Sequence, residues 1–173
     1  MNRQKFGLLM VVLATVSSFG FGAGPVPAAT SDAPIQITRG QTMIHHARGK
    51  FDVKLAPLES SAGKDLGRMS IDKTFHGELD ATSKGEMLAS MSAVKGSAGY
   101  VAIEKVTGKL GGRDGTFVLQ HIGTMTRGEG KLTVSVVPDS GTGQLVGLAG
   151  TMSIEITDGK HFYHFEYSLP AAK

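Results

Sequence analysis

The stretch Tyr100–Met125, YVAIEKVTGKLGGRDGTFVLQHIGTM, decides the fold. Both of its arms are rich in β-branched and aromatic residues, and the segment GGRDG at 111–115 stands where the chain must reverse. The stretch therefore predicts a β-hairpin. Polar residues interrupt its apolar arms, with Glu104 in the first arm and Gln120 and His121 in the second.

The sequence on both sides of this hairpin is also typical of strands. Phe51, Val53 and Leu55 alternate with charged residues, which is the period-two pattern of a half-buried strand. No segment shows sustained helical periodicity, so we expect about eight antiparallel strands that close into a β-barrel, with a two-sheet sandwich as the alternative. Other predicted strands are 68–79, 86–94, 132–136, 145–156 and 161–169, with turns at 80–85 and 139–143.

The first 29 residues have the composition of a secretory signal peptide. Arg3 and Lys5 give a positive start, 6–16 is an apolar run, and a Gly/Pro/Ala-rich stretch follows. The run is shorter than the ~20 apolar residues of a membrane-spanning helix, although an uncleaved anchor is the alternative. We therefore expect a leader at 1–29, a flexible lead-in at 30–41 and one barrel domain at 42–170. The domain would be exported to the periplasm or beyond, with no membrane partner after cleavage.

Charge and composition exclude several classes of function. The chain has 18 Lys and Arg against 15 Asp and Glu, and the leader holds Arg3 and Lys5 but no acidic residue. The rest is nearly neutral and has no basic patch for a nucleic acid. The chain has no cysteine, which rules out thiolate zinc sites and cysteine nucleophiles. His161 and His164 point to opposite faces of a strand, and no histidine spacing matches a metal site, so we predict no metal and no other cofactor.

Three separated blocks resemble the domain-of-unknown-function family DUF3224. They are KTFHGEL at 73–79, GGRDGTFVLQH at 111–121 and VVPDSGTGQL at 136–145, and the resemblance extends from about Ala47 to Leu169. It implies a small antiparallel barrel similar to allene oxide cyclase, which binds an unsaturated fatty-acid epoxide in an apolar cavity. The active-site pattern of that enzyme is not recognised here, so the resemblance implies a fold and a cavity but no activity.

The polar residues of the hairpin are the first candidate for a functional site. Glu104 shares a strand face with Tyr100, whereas Gln120 and His121 lie on opposite faces, so only one of these two can point inside. A carboxylate in an apolar barrel has a raised pKa, which suits general acid–base catalysis; the alternative is that these groups only form structural hydrogen bonds. The predicted ligand-binding residues are Tyr100, Glu104, Gln120, His121, Tyr163 and Tyr167.

The segment DSGT at 139–142 is the second candidate, because it resembles the catalytic loop of aspartic peptidases. In that chemistry two carboxylates share a proton and activate a water molecule. Asp139 would be the catalytic carboxylate, and its partner would be Asp139 of a second copy in a homodimer, Asp114 or Glu104. Pro138 and the absence of a second such segment depart from the peptidase pattern, and the same residue types are typical of a tight turn.

The sequence leaves three functions open. The first is a barrel that binds, isomerises or cyclises a small apolar ligand in its interior. The second is an acid-acting peptidase that cleaves its own N-terminal region. The third is a non-catalytic structural or interaction barrel whose interior is filled. Because a ligand-binding barrel and a peptidase both allow dimerisation, oligomeric state does not separate them.

Overall fold

The computed structural model describes residues 43–63 and 66–170. Within these ranges, eight antiparallel strands form one closed barrel, each strand pairing with its neighbours in sequence and the last with the first. The predicted barrel is therefore confirmed, and the alternative of a two-sheet sandwich is wrong. The strands are β1 (Ile44–Leu58), β2 (Leu66–Gly77), β3 (Leu79–Met91), β4 (Ala98–Leu110), β5 (Arg113–Thr126), β6 (Glu129–Val136), β7 (Ala149–Thr157) and β8 (Lys160–Ser168).

The predicted leader and lead-in, 1–29 and 30–41, lie outside the described residues. Among the residues that are described, no helix has the length and apolar character needed to cross a membrane.

The hairpin that decides the fold is formed by β4 and β5, which pair from Ala98 with Met125 to Leu110 with Arg113. The reversal uses Gly111 and Gly112, whose φ angles are 56° and 80°. Positive φ at both central residues is the geometry of a two-residue turn that matches the twist of the strands. The turn is therefore tighter than the five-residue reversal that the sequence predicts.

The turn predicted at 80–85 is wrong, because this segment belongs to the continuous strand β3. Asp80, Thr82 and Lys84 occupy the outward positions of a strand, since they are exposed and alternate with the buried Ala81 and Ser83. The chain reverses earlier, at Gly77, which has a φ of 113°. Glycine adopts this conformation without the steric cost that a side chain would add.

The strand predicted at 145–156 starts later, because β7 begins at Ala149. The connection between β6 and β7, residues 137–148, contains a short 3-10 helix at Gly143–Leu145. Leu145 and Leu148 of this connection are buried in the main core. The connection therefore closes one end of the barrel, which we call the plugged end.

The interior is filled unequally along the barrel axis. At the plugged end, Leu79, Phe117 and Phe165 are fully buried and pack with the leucines of the 137–148 connection. Toward the other end the buried cluster is much smaller and consists of Ile71, Met87 and Ala102. We call this second end, where the turns after β3, β5 and β7 lie, the open end.

Strands β6 and β7 meet only near the plugged end. Among the described residues their register contains a single pair, Ser135 with Thr151. The two strands diverge toward the open end, where Leu132 and Ile154 border the interior from the two sides. This part of the wall, which we call the seam, lacks the hydrogen-bonded ladder that joins the other strands.

Leu145→Ala is expected to destabilise the protein by about 2–5 kcal/mol, because the substitution removes buried contacts and leaves a void. Urea unfolding followed by circular dichroism measures this change in the free energy of unfolding. Val146→Ala is the matched control, since Val146 is 63% exposed and should lose less than about 0.5 kcal/mol. Equal losses in both variants would show that the 137–148 connection does not plug the core.

Candidate functional site

A buried ion pair lies inside the barrel between β2 and β4. Glu104 is 0% exposed and Lys73 is 8% exposed, and Lys73 Nζ donates a hydrogen bond of 2.9 Å to Glu104 Oε1. Nζ also lies 5.0 Å from the ring centroid of Phe51 and 5.7 Å from that of Phe75. Aromatic faces attract a cation at such distances, so the ammonium group is held by one carboxylate and two rings.

Gly85 on β3 provides the room that Glu104 needs. The two residues are register partners, and a Cβ atom at Gly85 would lie 2.5 Å from the Cβ of Glu104 and closer still to the carbonyl oxygen of Ile103. Any other residue would force β3 away from β4. A glycine inside a strand often marks such a close approach, which explains why the sequence pattern suggested a turn here.

His121 on β5 completes the cluster. Its side chain is buried, and its Nε2 lies 3.4 Å from Glu104 Oε1, which is long for a hydrogen bond. Within the described residues, neither His121 Nε2 nor Glu104 Oε2 has a hydrogen-bond partner. His121 therefore faces Glu104 with Nε2 and is also one of the side chains that line the cavity at the open end of the barrel.

Side chains of β5 alternate between the inside and the outside of the barrel, so only one of the adjacent residues Gln120 and His121 points inside. His121 points inside and is 4% exposed, whereas Gln120 is exposed on the outer face beside Ile103. Gln120 therefore takes no part in an interior site, although it was a predicted ligand-binding residue.

The pKa of Glu104 differs from the sequence-based expectation. Burial raises the pKa of this carboxyl, as predicted, but the contact with His121 and the positive charge of Lys73 outweigh burial and hold the pKa below its ordinary value. The expected raised pKa is therefore wrong. The causes are His121 and Lys73, whose contacts with Glu104 the sequence did not reveal.

Tyr100 lies on the cavity wall above the cluster. Its ring covers Gly123, its register partner on β5, and a Cβ atom at Gly123 would overlap the ring. Burial, followed by the negative charge of Glu104, raises the pKa of Tyr100 to about 12. The hydroxyl therefore stays protonated at neutral pH and is a hydrogen-bond donor.

The open end holds a cavity of about 130 Å³. A smaller cavity of about 70 Å³ lies beside it and shares Met87, Tyr100 and Leu132 with it. The larger one is below the ~300 Å³ of a typical drug-sized site and close to the size that accepts one benzene ring. Its polar lining consists of Lys73, Tyr100, His121 and His161, and its apolar lining includes Val53, Ile71, Met87, Ala102, Leu132 and Ile154.

Lys73 and His161 are the members of this site that sequence reasoning missed. Lys73 occupies the same alternating face as Ile71 and Phe75, and a charge among inward residues signals a buried partner. His161 is half-buried, with its ring centroid 5.0 Å from that of Phe51. Burial and then the charge of Lys73 lower the pKa of His161, so its ring stays neutral at neutral pH.

Tyr163 and Tyr167, two other predicted ligand-binding residues, lie toward the plugged end and do not line the cavity. The hydroxyl of Tyr163 accepts a 2.8 Å hydrogen bond from the Leu79 backbone N–H and so fixes the reversal between β2 and β3. Tyr167 packs against the rings of Phe165 and His45. Burial raises the pKa of both hydroxyls. Their surroundings account for both side chains without a ligand.

The DSGT segment forms a tight turn on the barrel exterior. Asp139 is exposed and has a φ of 59°. Ser140 Oγ donates to the Val137 carbonyl at 2.7 Å and accepts from the Val118 N–H at 3.1 Å. Thr142 Oγ1 likewise accepts a hydrogen bond from β5. The two hydroxyls that would orient a peptidase carboxylate therefore attach the turn to β5 instead.

The three predicted catalytic carboxylates do not form one site. Asp114 is exposed and its carboxylate pairs with Lys109 at 2.7 Å, and Asp139 is also on the outer surface. Glu104 is enclosed within the barrel. Neither aspartate can share a proton with it.

Glu104→Gln is expected to destabilise the protein by about 3–5 kcal/mol at neutral pH, because the substitution leaves the Lys73 ammonium buried without a counter-charge. Because the folded state lowers the Glu104 pKa, the charged carboxylate stabilises the protein above its ordinary pKa of about 4. That contribution disappears as the pH falls through the lowered pKa. The stability difference between the two proteins should therefore shrink in acid.

Urea unfolding across this pH range tests the expectation. Glu86→Gln is the control, because Glu86 forms an exposed pair with Arg68 and should change the stability by less than about 1 kcal/mol. A Glu104→Gln variant as stable as the control at neutral pH would show that the buried pair does not hold the cluster together.

Two comparisons with known proteins bear on this barrel. A family model described as "Protein of unknown function (DUF3224)" matches residues 47–167. The chain is also similar to the crystal structure of a protein of unknown function from the DUF3224 family of Shewanella oneidensis MR-1. The two are 57% identical with a TM-score of 0.72, and the match covers 75% of this chain and 100% of the other. A search of curated proteins found no match.

Proposed function

The chain belongs to the DUF3224 family, and we propose that this barrel binds a small, mostly apolar molecule in the cavity at its open end. The observation that carries the proposal is the unequal filling of the interior. One end is plugged by leucines and aromatic rings, whereas the other keeps a cavity of about 130 Å³. An apolar concave site with a few convergent polar groups is typical of small-molecule binding.

The free-energy cost of the buried cluster supports a functional role for the cavity. Removing a lysine and a glutamate from water costs several kcal/mol per charge, and apolar residues at such positions often give equal or greater stability. A barrel that needed only a solid interior would gain from apolar side chains at Lys73 and Glu104. These two residues instead place a charge at the base of an apolar cavity.

The seam between β6 and β7 supports access of a ligand from the side. Leu132 and Ile154 both line the cavity where the two strands diverge, and only Ser135 and Thr151 are paired near the plugged end. Separation of the two strands near the open end would break no ladder hydrogen bonds.

Chemistry on the bound molecule, as in an isomerase or cyclase, would use the same residues. His121, whose Nε2 faces Glu104, is the side chain positioned to exchange a proton with a molecule in the cavity. The peptidase alternative has less support, because Ser140 and Thr142 are engaged with β5. The similarity to allene oxide cyclase, export by the N-terminal leader and the homodimer stay predictions.

Fluorobenzamide, a neutral single-ring probe, is expected to bind the protein, and Ala102→Leu should weaken this binding by about tenfold or more. Ala102 is 3% exposed and lines the cavity, so the larger side chain occupies the space that the ring needs. Ligand-observed fluorine NMR measures the affinity. Val101→Leu is the matched control, because Val101 is the adjacent residue on the outer face and is 51% exposed.

Thermal unfolding of both variants checks that each barrel is intact. Equal affinities in Ala102→Leu and Val101→Leu would place the probe outside the cavity and overturn the proposal. Absence of binding to the unmodified protein would overturn it as well.

A further inference from the structure

We propose that the ligand of this cavity is a small carboxylic acid, bound with its apolar body against the open-end wall and its carboxylate held by Lys73 and His121. This inference rests on the proposed function and adds the chemical class of the ligand.

The Lys73 ammonium and the Tyr100 hydroxyl bring N–H and O–H donors to the cavity, and the neutral His161 ring, with one acceptor nitrogen, cannot accept from all of them. The Lys73 ammonium has three N–H donors, and in the described part of the chain only Glu104 Oε1 accepts from it. The Tyr100 hydroxyl at the same cavity is also protonated. Glu104 Oε2 is an acceptor, but it is enclosed and does not line the cavity. A ligand that satisfies these donors must supply an oxygen acceptor.

Charge balance indicates how an anion is accommodated. Glu104 already neutralises Lys73, so a second negative charge at the cavity needs a second positive charge. His121 lies between Glu104 and the cavity. When protonated, it donates Nε2–H to Glu104 and Nδ1–H to the ligand. The result is an alternating series of ammonium, carboxylate, imidazolium and ligand carboxylate.

Neutral His121 gives a different interaction. If its Nε2–H points to Glu104, its Nδ1 presents a lone pair to the cavity and repels a carboxylate. Binding of a carboxylate is therefore coupled to the uptake of one proton.

The other titratable groups around the cavity do not take up this proton. On β4, Tyr100 is protonated already. On β8, burial and then the positive charge of Lys73 lower the pKa of His161. The carboxylate of Asp52 on β1 acts in the opposite direction, but it is exposed and its effect is smaller. The lining from β3, β6 and β7 contains no ionisable side chain. Of the described groups that line this cavity, His121 is the one left to carry the second positive charge.

The cavity volume limits the apolar body of the ligand. The volume of about 130 Å³ is slightly less than the roughly 150 Å³ of a cavity that holds one benzene molecule, which limits the apolar body to one ring or a short branched chain. Ile71, Met87 and Ala102 surround this space with apolar surface. A single-ring acid such as benzoate is therefore at the upper limit of size for this class, and its carboxylate matches the donors.

Fluorobenzoate and fluorobenzamide are the probes for this inference, because they have nearly the same shape but only fluorobenzoate is charged. Fluorine NMR titrations should give about tenfold tighter binding of fluorobenzoate at neutral pH, as charge-assisted hydrogen bonds are stronger than neutral ones. Its affinity should rise as the pH falls, by up to about tenfold per pH unit, because binding takes up a proton. The affinity of fluorobenzamide should stay constant. Isothermal titration in two buffers of different ionisation enthalpy should show the uptake of about one proton.

His121→Gln is expected to weaken fluorobenzoate binding by about tenfold and to abolish its pH dependence, because glutamine cannot be protonated. His76→Gln is the matched control, since His76 pairs with Asp52 on the outer surface, and it should change neither property. The double variant Lys73→Met/Glu104→Gln removes both charges, so no uncompensated ion is left buried. It should fold and bind only fluorobenzamide.

The outcomes separate this inference from the proposed function. If fluorobenzamide binds as tightly as fluorobenzoate, or if fluorobenzoate affinity does not change with pH, the acid class is overturned while the binding site stands. If neither probe binds the unmodified protein, both proposals fail. Unchanged pH dependence in His121→Gln would also overturn the role given to the imidazole.

Discussion

The hydrogen bond between Lys73 and Glu104 is the constraint on which the interior of this barrel depends. Each of the two charges would be costly inside the barrel without the other, so the pair fixes the distance between β2 and β4 across the intervening strand β3. Gly85 follows from the same constraint, because Glu104 requires the space that a Cβ atom there would fill. The contact with His121 then joins β5 to the cluster. One carboxylate oxygen thereby links three strands.

The fold itself could be predicted from local patterns because its strands pair with their neighbours in sequence. Among the strand pairings of the described residues, only the one between β1 and β8 joins distant parts of the chain. Alternation and turn residues therefore carry most of the information. They failed at 80–85, where Gly85 serves close packing rather than a turn. They also failed at 145–148, where Leu145 and Leu148 resemble strand residues but fill the plugged end.

The candidate site was only half predictable for a related reason. Alternation put Glu104 and Tyr100 on one face, and it showed that Gln120 and His121 could not both be inside. It could not pair Lys73 with Glu104, because the two residues are 31 positions apart and lie on strands that are not adjacent. The expectation of a raised Glu104 pKa was wrong for the same reason. Burial alone raises the pKa of a carboxyl, but a cation 2.9 Å away lowers it.

The division of the barrel into two ends connects stability with function. The plugged end supplies the apolar packing, with Phe117, Leu119 and Phe165 fully buried, and this packing compensates for an open end that contains a cavity and buried charges. The cluster lies at the boundary between the two, so its side chains are held by packed neighbours on one side and face free space on the other. Under the proposed function, such an arrangement fixes polar groups before a ligand arrives and lowers the ordering cost of binding. An unequally filled barrel can therefore keep charged side chains beside a cavity, whereas an evenly packed barrel of the same length would have no such space.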